Sequence, residues 1–292
     1  MSLLLAVPNV SEGRDPGALQ AIAGGFGPGL LDVHSDPDHH RSVFTLAGTP
    51  GALAERVRDG ARATVAHLDI RSHHGIHPRV GVLDVAPIVY LEEVDRGAAC
   101  AEALVLGDLL AGELELPVFL YGILGQGRTR AELRRGGPQA LAARIESGEL
   151  IPDLGPRRLH PSAGATLLGA RPPLVAFNVM LAAPAGEADA RRIAARIREG
   201  GPEGLPGVRA IGRWLEQEGL AQVSTNVEDH LATPLAEVVA AVARHARVPG
   251  AELVGLAPRA AFAGFPGDVP VGGRRLLEDA LAGVDPAPPA SD

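Results

Sequence analysis

The sequence predicts an α/β fold of the α+β kind, built from two ferredoxin-like βαββαβ subdomains. Three observations predict it. Strand and helix periodicities alternate along the chain. The same element order occurs twice. Apolar residues make up 46% of 292 positions and charged residues 21%, a balance that builds a folded core. The length suits two domains better than one. Aromatic residues are 3%, so the core has to come from Ala, Val, Leu and Ile.

Each element follows from its pattern. Leu3 to Val7 is a short apolar strand, Pro16 to Ala23 a short helix, and Leu30 to His34 and Ser42 to Ala47 are strands. Thr49 reads as an N-cap with Pro50 at the first helical position. The helix that follows aligns Leu53, Val57, Ala61, Val65 and Leu68 on one face. A strand at Val85 to Leu91, a helix at Val94 to Leu110 and a strand at Pro117 to Tyr121 give βαββαβ with an αβ pair appended. Leu124 to Pro172 then joins the halves as a weak helix near Gln139 to Ile145 and a Pro/Gly-rich loop.

The second half repeats the order. Leu174 to Leu181 is almost continuously apolar, as in a strand covered on both faces. A helix carries Ala190, Ile193, Ala194 and Ile197, and Val208 to Leu215 pairs with Leu220 to Val227 across Glu216–Gly219. Thr233–Pro234 opens a second capped helix with Leu235, Val238, Val239, Val242 and Ala246 in line, and Ala251 to Leu256 closes the unit. The expected divisions are an N-terminal subdomain at 1–170, a C-terminal subdomain at 171–265, and a short helix with a Pro/Ala-rich tail at 266–292.

Composition narrows the function classes. A formal charge of −8 gives no surface that seeks nucleic acid. The single Cys100 lies in an Ala/Leu-rich helical pattern, so no disulfide framework or thiolate metal site is expected, only a small buried apolar residue. The N-terminus lacks a basic region followed by a long apolar stretch, and no run of 18 apolar residues occurs, so a cytoplasmic protein without membrane association is expected. Arg134 and Arg135 read as a solvated helix face.

Four polar segments interrupt the apolar scaffold at strand ends and loops, where ligand sites collect. The first, Val7 to Arg14, includes Asn9 and leads into a helix whose backbone N–H groups suit an anion; the alternative is an ordinary loop with Ser11 or Asp15 as N-cap. The second, Asp36-Pro37-Asp38-His39-His40-Arg41-Ser42, holds more charge than a hairpin needs, which points to function; the alternative is a solvated charged turn. The third, Arg71 to Gly81, places His73, His74 and His77 within five residues. Such a group supplies a proton relay or metal ligands. Pro78 biases His77 toward an extended backbone, on a stiff loop just before a buried strand. The fourth, Asp153 to Thr166, is a Gly/Pro loop whose small residues admit a flat ligand. Asn178, in the following strand, is a buried polar group that needs partners and serves either structure or function.

Together these segments resemble glutamate formimidoyltransferase, the transferase part of formimidoyltransferase-cyclodeaminase. The strings that carry the resemblance are VPNVSEGRD, DPDHHRSVFTLAG, HHGIHPRVGVLDVAP, PVFLYG, PDLGP, HPSAGATLLGARPPLVAFNV, AQVSTNVEDHLATPL and AELVGLAP, in order from residue 7 to residue 258. The resemblance implies two similar subdomains with a folate-binding cleft between them, usually in a homodimer. It implies that His77, in the HPR motif, is catalytic, and that Gly155, Pro156, Arg157, Arg158, Leu159, His160, Pro161, Ser162, Ala163 and Gly164 form the folate-binding loop. Ile76 stands where the family commonly has Glu, and His74 where it commonly has Lys.

The reaction implied moves a formimidoyl or formyl group between N-formimidoyl-L-glutamate and tetrahydrofolate, the co-substrate, as in histidine degradation. N5 attacks the amidine carbon, and a proton must pass from N5 to the leaving glutamate nitrogen. An imidazole with a pKa near neutrality can take and return it. His77 is the expected group, oriented by Asp38 or a neighbouring His. Asn9, Arg41 and Arg79 are expected to bind substrate, with Arg41, Arg79, Arg157 and Arg158 pairing with its carboxylates. No metal is expected. Three alternatives remain: a metal-dependent hydrolase using His73, His74 and His77 with Asp36 or Asp38, a folate-binding protein without catalysis, and a one-carbon transferase with another acceptor.

Overall fold

A computed structural model describes residues 2–75 and 77–284, which divide between Pro172 and Pro173 into two compact units. The first contains strands β1 (Leu4–Ala6) and β2 (Asn9–Val10), helix α1 (Pro16–Phe26), β3 (Leu30–Asp36), β4 (Arg41–Gly48), α2 (Ala52–His67), β5 (Leu83–Tyr90), α3 (Arg96–Leu114), β6 (Val118–Leu120), α4 (Arg130–Arg134), α5 (Gly137–Glu146) and β7 (Thr166–Arg171). The second contains β8 (Val175–Leu181), α6 (Glu187–Ile197), β9 (Val208–Leu215), β10 (Leu220–Val227), α7 (Leu235–Ala243), β11 (Ala251–Val254), β12 (Val271–Gly272) and α8 (Leu277–Leu281).

Both sheets have the strand order of a βαββαβ unit. In the first, β1 and β2 share one position, interrupted at Val7–Pro8, between β4 and β5; β3 lies outside β4. In the second, the order is β12-β11-β8-β10-β9, with β8, β9, β10 and β11 antiparallel. The duplicated α+β reading therefore holds. Each unit also carries an additional strand parallel to its last core strand, β7 on β5 and β12 on β11.

The strand β7 departs from the expected linker. Thr166–Arg171 inserts between β5 and β6, parallel to both, and is the link through which β6 joins the sheet. Gly164 and Gly169 at this segment read as loop, but both permit close packing. A Cβ on Gly169 would stand 3.0 Å from the Tyr121 ring. In the second unit, segment 266–283 is tied to the sheet by β12 and by the Leu277 N–H donating to the Ala257 carbonyl at 2.9 Å. The Pro/Ala-rich end, 285–292, lies outside the described residues.

Helix packing follows the sequence periods. Asp15 caps α1 by accepting from the N–H groups of Gly17 and Ala18, and Ala18, Ile22 and Phe26 form its buried stripe. Phe26 lies over Gly60 of α2, where a Cβ would come within 2.0 Å of the ring, so this glycine is what lets the two helices approach. The expected Thr49 cap of α2 is replaced. The buried Glu102 of α3 accepts from Gly51 N–H and Ala54 N–H, each at 2.6 Å. Thr233 likewise gives α7 no side-chain cap; its hydroxyl donates to the Pro206 carbonyl. For α2 the chain supplies the cap from a position distant in sequence. On the first sheet, α4 and α5 place Leu133, Leu141 and Ile145 against Phe119 and Leu167 in a second apolar cluster. No helix among the described residues is long and apolar enough to cross a membrane.

Candidate active site

The strand β5 positions the centre of the site. Val10 pairs with Leu83 and Asn9 with Val85, so Asp84 is the additional residue of a β-bulge. Bulges re-aim side chains and occur beside active sites. Asp84 is fully buried. Its Oδ1 accepts from Val80 N–H at 2.8 Å and its Oδ2 from Arg41 Nη1 at 2.7 Å; Arg134 Nη2 also donates to Oδ2. Burial alone would raise this carboxyl group's pKa, but Arg134 and Arg41 outweigh burial and hold it below the ordinary value.

Arg41, at the start of β4, connects Asp84 to His77. Its Nη1 donates to His77 Nδ1 at 3.0 Å as well as to Asp84, and Nε and Nη2 both donate to Asn9 Oδ1. Burial lowers Arg41 to about 10, still far above neutrality, so it remains a cation and a donor. Burial, then Arg41, Arg134 and His39, push His77 well below the usual imidazole pKa. His77 is therefore uncharged at neutral pH. That replaces the expected near-neutral shuttle with a ring held neutral by burial first and by two adjacent guanidinium groups after it.

The turn after β3 contributes the rest. Asp36 Oδ1 accepts from His39 N–H, and its Oδ2 lies 2.5 Å from His39 Nδ1. The His39 and His77 ring centroids are 6.3 Å apart. Asp38 is buried in this turn. His40, at φ 51°, places Nε2 3.0 Å from Glu12 Oε1 and stacks on His73 with centroids 4.2 Å apart. Glu12 Oε1 also accepts from the N–H groups of Gly13, Arg14 and Asp15. The backbone donors expected to hold an external anion are thus taken by the chain's own carboxylate.

Two residues expected to bind substrate are engaged within the protein. Arg79 donates to the carbonyls of His73, Gly75 and His77, bracing the histidine loop. Asn9 donates to the Val7 carbonyl and accepts from Arg41, leaving Arg41 itself mostly engaged. Both outcomes have one cause: a guanidinium even partly shielded from water needs fixed acceptors. Arg157 and Arg158 are exposed on the 155–164 loop and make no hydrogen bond or ion pair to the His77 cluster among the described residues. Asn178 is buried and donates to Glu252 at 3.3 Å within the second unit.

The 155–164 loop is anchored beside the histidine loop. Val82 N–H donates to the Ala163 carbonyl at 2.8 Å, Ala165 N–H to the Val80 carbonyl at 3.0 Å, and Ile70 N–H to the Ser162 carbonyl at 2.7 Å. Gly81 and Gly164 face each other across this junction. No group of three or more His, Cys, Asp or Glu side chains among the described residues is arranged to hold a metal ion.

Comparison with known proteins shows the family. Residues 3–171 match the formiminotransferase domain, N-terminal subdomain, and residues 176–264 match the formiminotransferase domain. The chain belongs to the formiminotransferase family. It is 40% identical to the formimidoyltransferase-cyclodeaminase of Rattus norvegicus over 275 residues, covering 88% of this chain and 50% of that protein. It is 33% identical to the glutamate formimidoyltransferase of Streptococcus pyogenes serotype M1 over 268 residues, 88% of this chain and 89% of the relative. The glutamate formimidoyltransferase of Thermoplasma acidophilum is also 33% identical, with 90% of each chain covered. The chain spans about half the length of the formimidoyltransferase-cyclodeaminases it matches.

In this formiminotransferase chain two members of the cluster, Arg134 and Asp84, are not expected from the sequence pattern. Arg134 reads as a solvated residue in sequence, yet its side chain is 12% exposed and pairs with Asp84. Asp84 lies inside the string HHGIHPRVGVLDVAP. The signal available was its place in a wholly apolar strand, where an ionised carboxylate requires cationic partners.

Proposed function

We propose that this chain transfers a formimidoyl group between N-formimidoyl-L-glutamate and N5 of tetrahydrofolate, at the cluster around His77. The supporting observation is the junction at Gly81 and Gly164, which fastens the loop from Gly155 to Gly164 to the segment that follows His77. A pterin bound along that loop lies close to the imidazoles, and holding two substrates beside each other supplies much of a transferase's acceleration. Both substrates carry carboxylates, and the exposed Arg157 and Arg158 are free of ion pairs among the described residues and suit them. Asp38, in the turn that carries His39, is retained as a group acting on the histidines. A cytoplasmic location and a homodimer accompany this reading.

The chemistry asks for an amine nucleophile at an amidine carbon and one proton moved from N5 to the departing nitrogen. Uncharged imidazoles fixed by hydrogen bonds suit that task. The test mixes purified protein with tetrahydrofolate and N-formimidoyl-L-glutamate and follows 5-formimidoyl-tetrahydrofolate by absorbance. Turnover that falls about 10² to 10⁴-fold in a folded His77→Ala variant supports the reading. Absence of turnover rejects glutamate as the partner, and a tetrahydrofolate titration on the same sample then separates another acceptor from a chain that does not bind folate.

A further inference from the structure

Two imidazoles in the cluster meet Nδ1 partners of opposite kind, a guanidinium for His77 and a carboxylate for His39. His77 Nδ1 lies 3.0 Å from Arg41 Nη1. A guanidinium has no lone pair to give, so Nδ1 accepts, and the uncharged ring carries its hydrogen on Nε2. His39 Nδ1 lies 2.5 Å from Asp36 Oδ2. A carboxylate only accepts, so this Nδ1 carries the hydrogen, and Nε2 is the ring nitrogen left to exchange a proton. The ring centroids are 6.3 Å apart with planes inclined at 60°. His39 Nε2 has no hydrogen-bond partner among the described residues, and the Pro78 carbonyl lies beside the His77 ring.

We propose that His39, oriented by Asp36, is the proton acceptor of the reaction, while His77, oriented by Arg41, is a hydrogen-bond donor to the same substrate. The assignment rests on the formimidoyl-transfer reading above. The step balances without a further reagent. N5 attacks the amidinium carbon and forms the N5–C bond. The amidinium nitrogen that stays with the carbon regains a lone pair, and His77 Nε2–H donates to it. His39 Nε2 takes the proton from N5, and Asp36 faces the resulting imidazolium charge. That proton passes to the glutamate nitrogen. The carbon–nitrogen bond then breaks with its electron pair on glutamate, and the retained nitrogen's lone pair closes the new C=N bond. Arg41 and Asp36 are positioning residues in this scheme.

The tautomers are read directly by long-range proton–nitrogen correlation on protein carrying ring-labelled histidine, without substrate. Spectra of His39→Gln and His77→Gln assign the two rings. The expected wild-type result is a protonated Nδ1 in His39 and a protonated Nε2 in His77; the same tautomer in both rings overturns the proposal. In the transfer assay, folded His39→Gln is expected to lose about 10² to 10⁴-fold in kcat with KM little changed. A wild-type kcat in that variant overturns it. Asp36→Asn covers the case in which His39→Gln does not fold. It keeps the shape of the turn, turns an N–H toward the ring, and is expected to reverse the His39 tautomer and lower kcat by at least about tenfold. An unchanged tautomer with full activity there overturns the role of Asp36. A wild type that shows both tautomers but no transfer overturns the reaction, and the spectrum keeps that failure distinct from a failure of the ring assignment.

Discussion

Asp84 Oδ2 accepts from Arg41 Nη1 at 2.7 Å, and that same Nη1 donates to His77 Nδ1 at 3.0 Å. A fully buried carboxylate therefore sets the position of the imidazole without touching it. Arg134 pairs with the same carboxylate from α4, so Asp84 compensates two cations at once. Asp84→Asn leaves both guanidinium groups buried without a counter-charge. Breaking a buried pair on one side costs about 3–5 kcal/mol. We expect a destabilisation in that range by urea unfolding, together with loss of transfer activity. A folded variant with unchanged stability and activity would remove Asp84 from the centre of the site.

The histidine loop makes stability depend on pH. His73 Nε2 donates to the His40 carbonyl at 2.8 Å, and its Nδ1 accepts from Gly75 N–H at 3.2 Å, so the ring is satisfied only when uncharged. Burial lowers its pKa to about 4; the His40 carbonyl opposes the shift, and Arg79 reinforces it. Between about pH 6.5 and about pH 4 the unfolded chain binds a proton that the folded chain refuses. Stability is thus full above this window and is lost as pH falls through it. His77 and His40, both lowered, act with the same sign. Urea midpoints at about pH 7.5 and about pH 5 should show the decline, and it should be shallower in His73→Gln.

Helix α2 tests where its cap resides. Glu102 receives Gly51 N–H and Ala54 N–H, whereas Thr49 contributes only a backbone carbonyl, to Leu53 N–H. Glu102→Ala leaves two donors without an acceptor and is expected to cost about 1–3 kcal/mol. Thr49→Ala is expected to change stability by less than about 0.5 kcal/mol. Thermal unfolding of the two variants side by side checks the ranking, and the reverse order would return the cap to Thr49.

The junction between the two loops tolerates no side chain. A Cβ on Gly81 would lie 2.1 Å from the Ala165 carbonyl oxygen and 2.6 Å from that of Ala163. Both obstacles are backbone, so the loops must separate in Gly81→Ala. Overpacking of this kind costs about 1–3 kcal/mol. If the 155–164 loop carries tetrahydrofolate, calorimetric titration of the variant should show affinity reduced by about tenfold or more, the equivalent of about 1.4 kcal/mol. Unchanged affinity would place the folate elsewhere.

The sequence by itself determined the duplicated βαββαβ order, because apolar periods of 2 and 3.6 are local and survive in one dimension. The β9–β10 hairpin, with Leu215 paired to Leu220 across Glu216–Gly219, stands where the pattern put it. It also marked the polar segments, since clustered His, Asp and Arg break an apolar pattern visibly. Tertiary structure decided what those residues do. A carboxylate in a buried strand selects its guanidinium partners from 43 and 50 positions away, so the union of Asp84 with Arg41 and Arg134 has no local signature. The same holds for the Glu102 cap, supplied from 48 and 51 positions away, and for β7, which becomes a strand only between β5 and β6. Which nitrogen of His39 or His77 carries the proton depends on whether its neighbour can only accept or only donate, and folding alone chooses that neighbour.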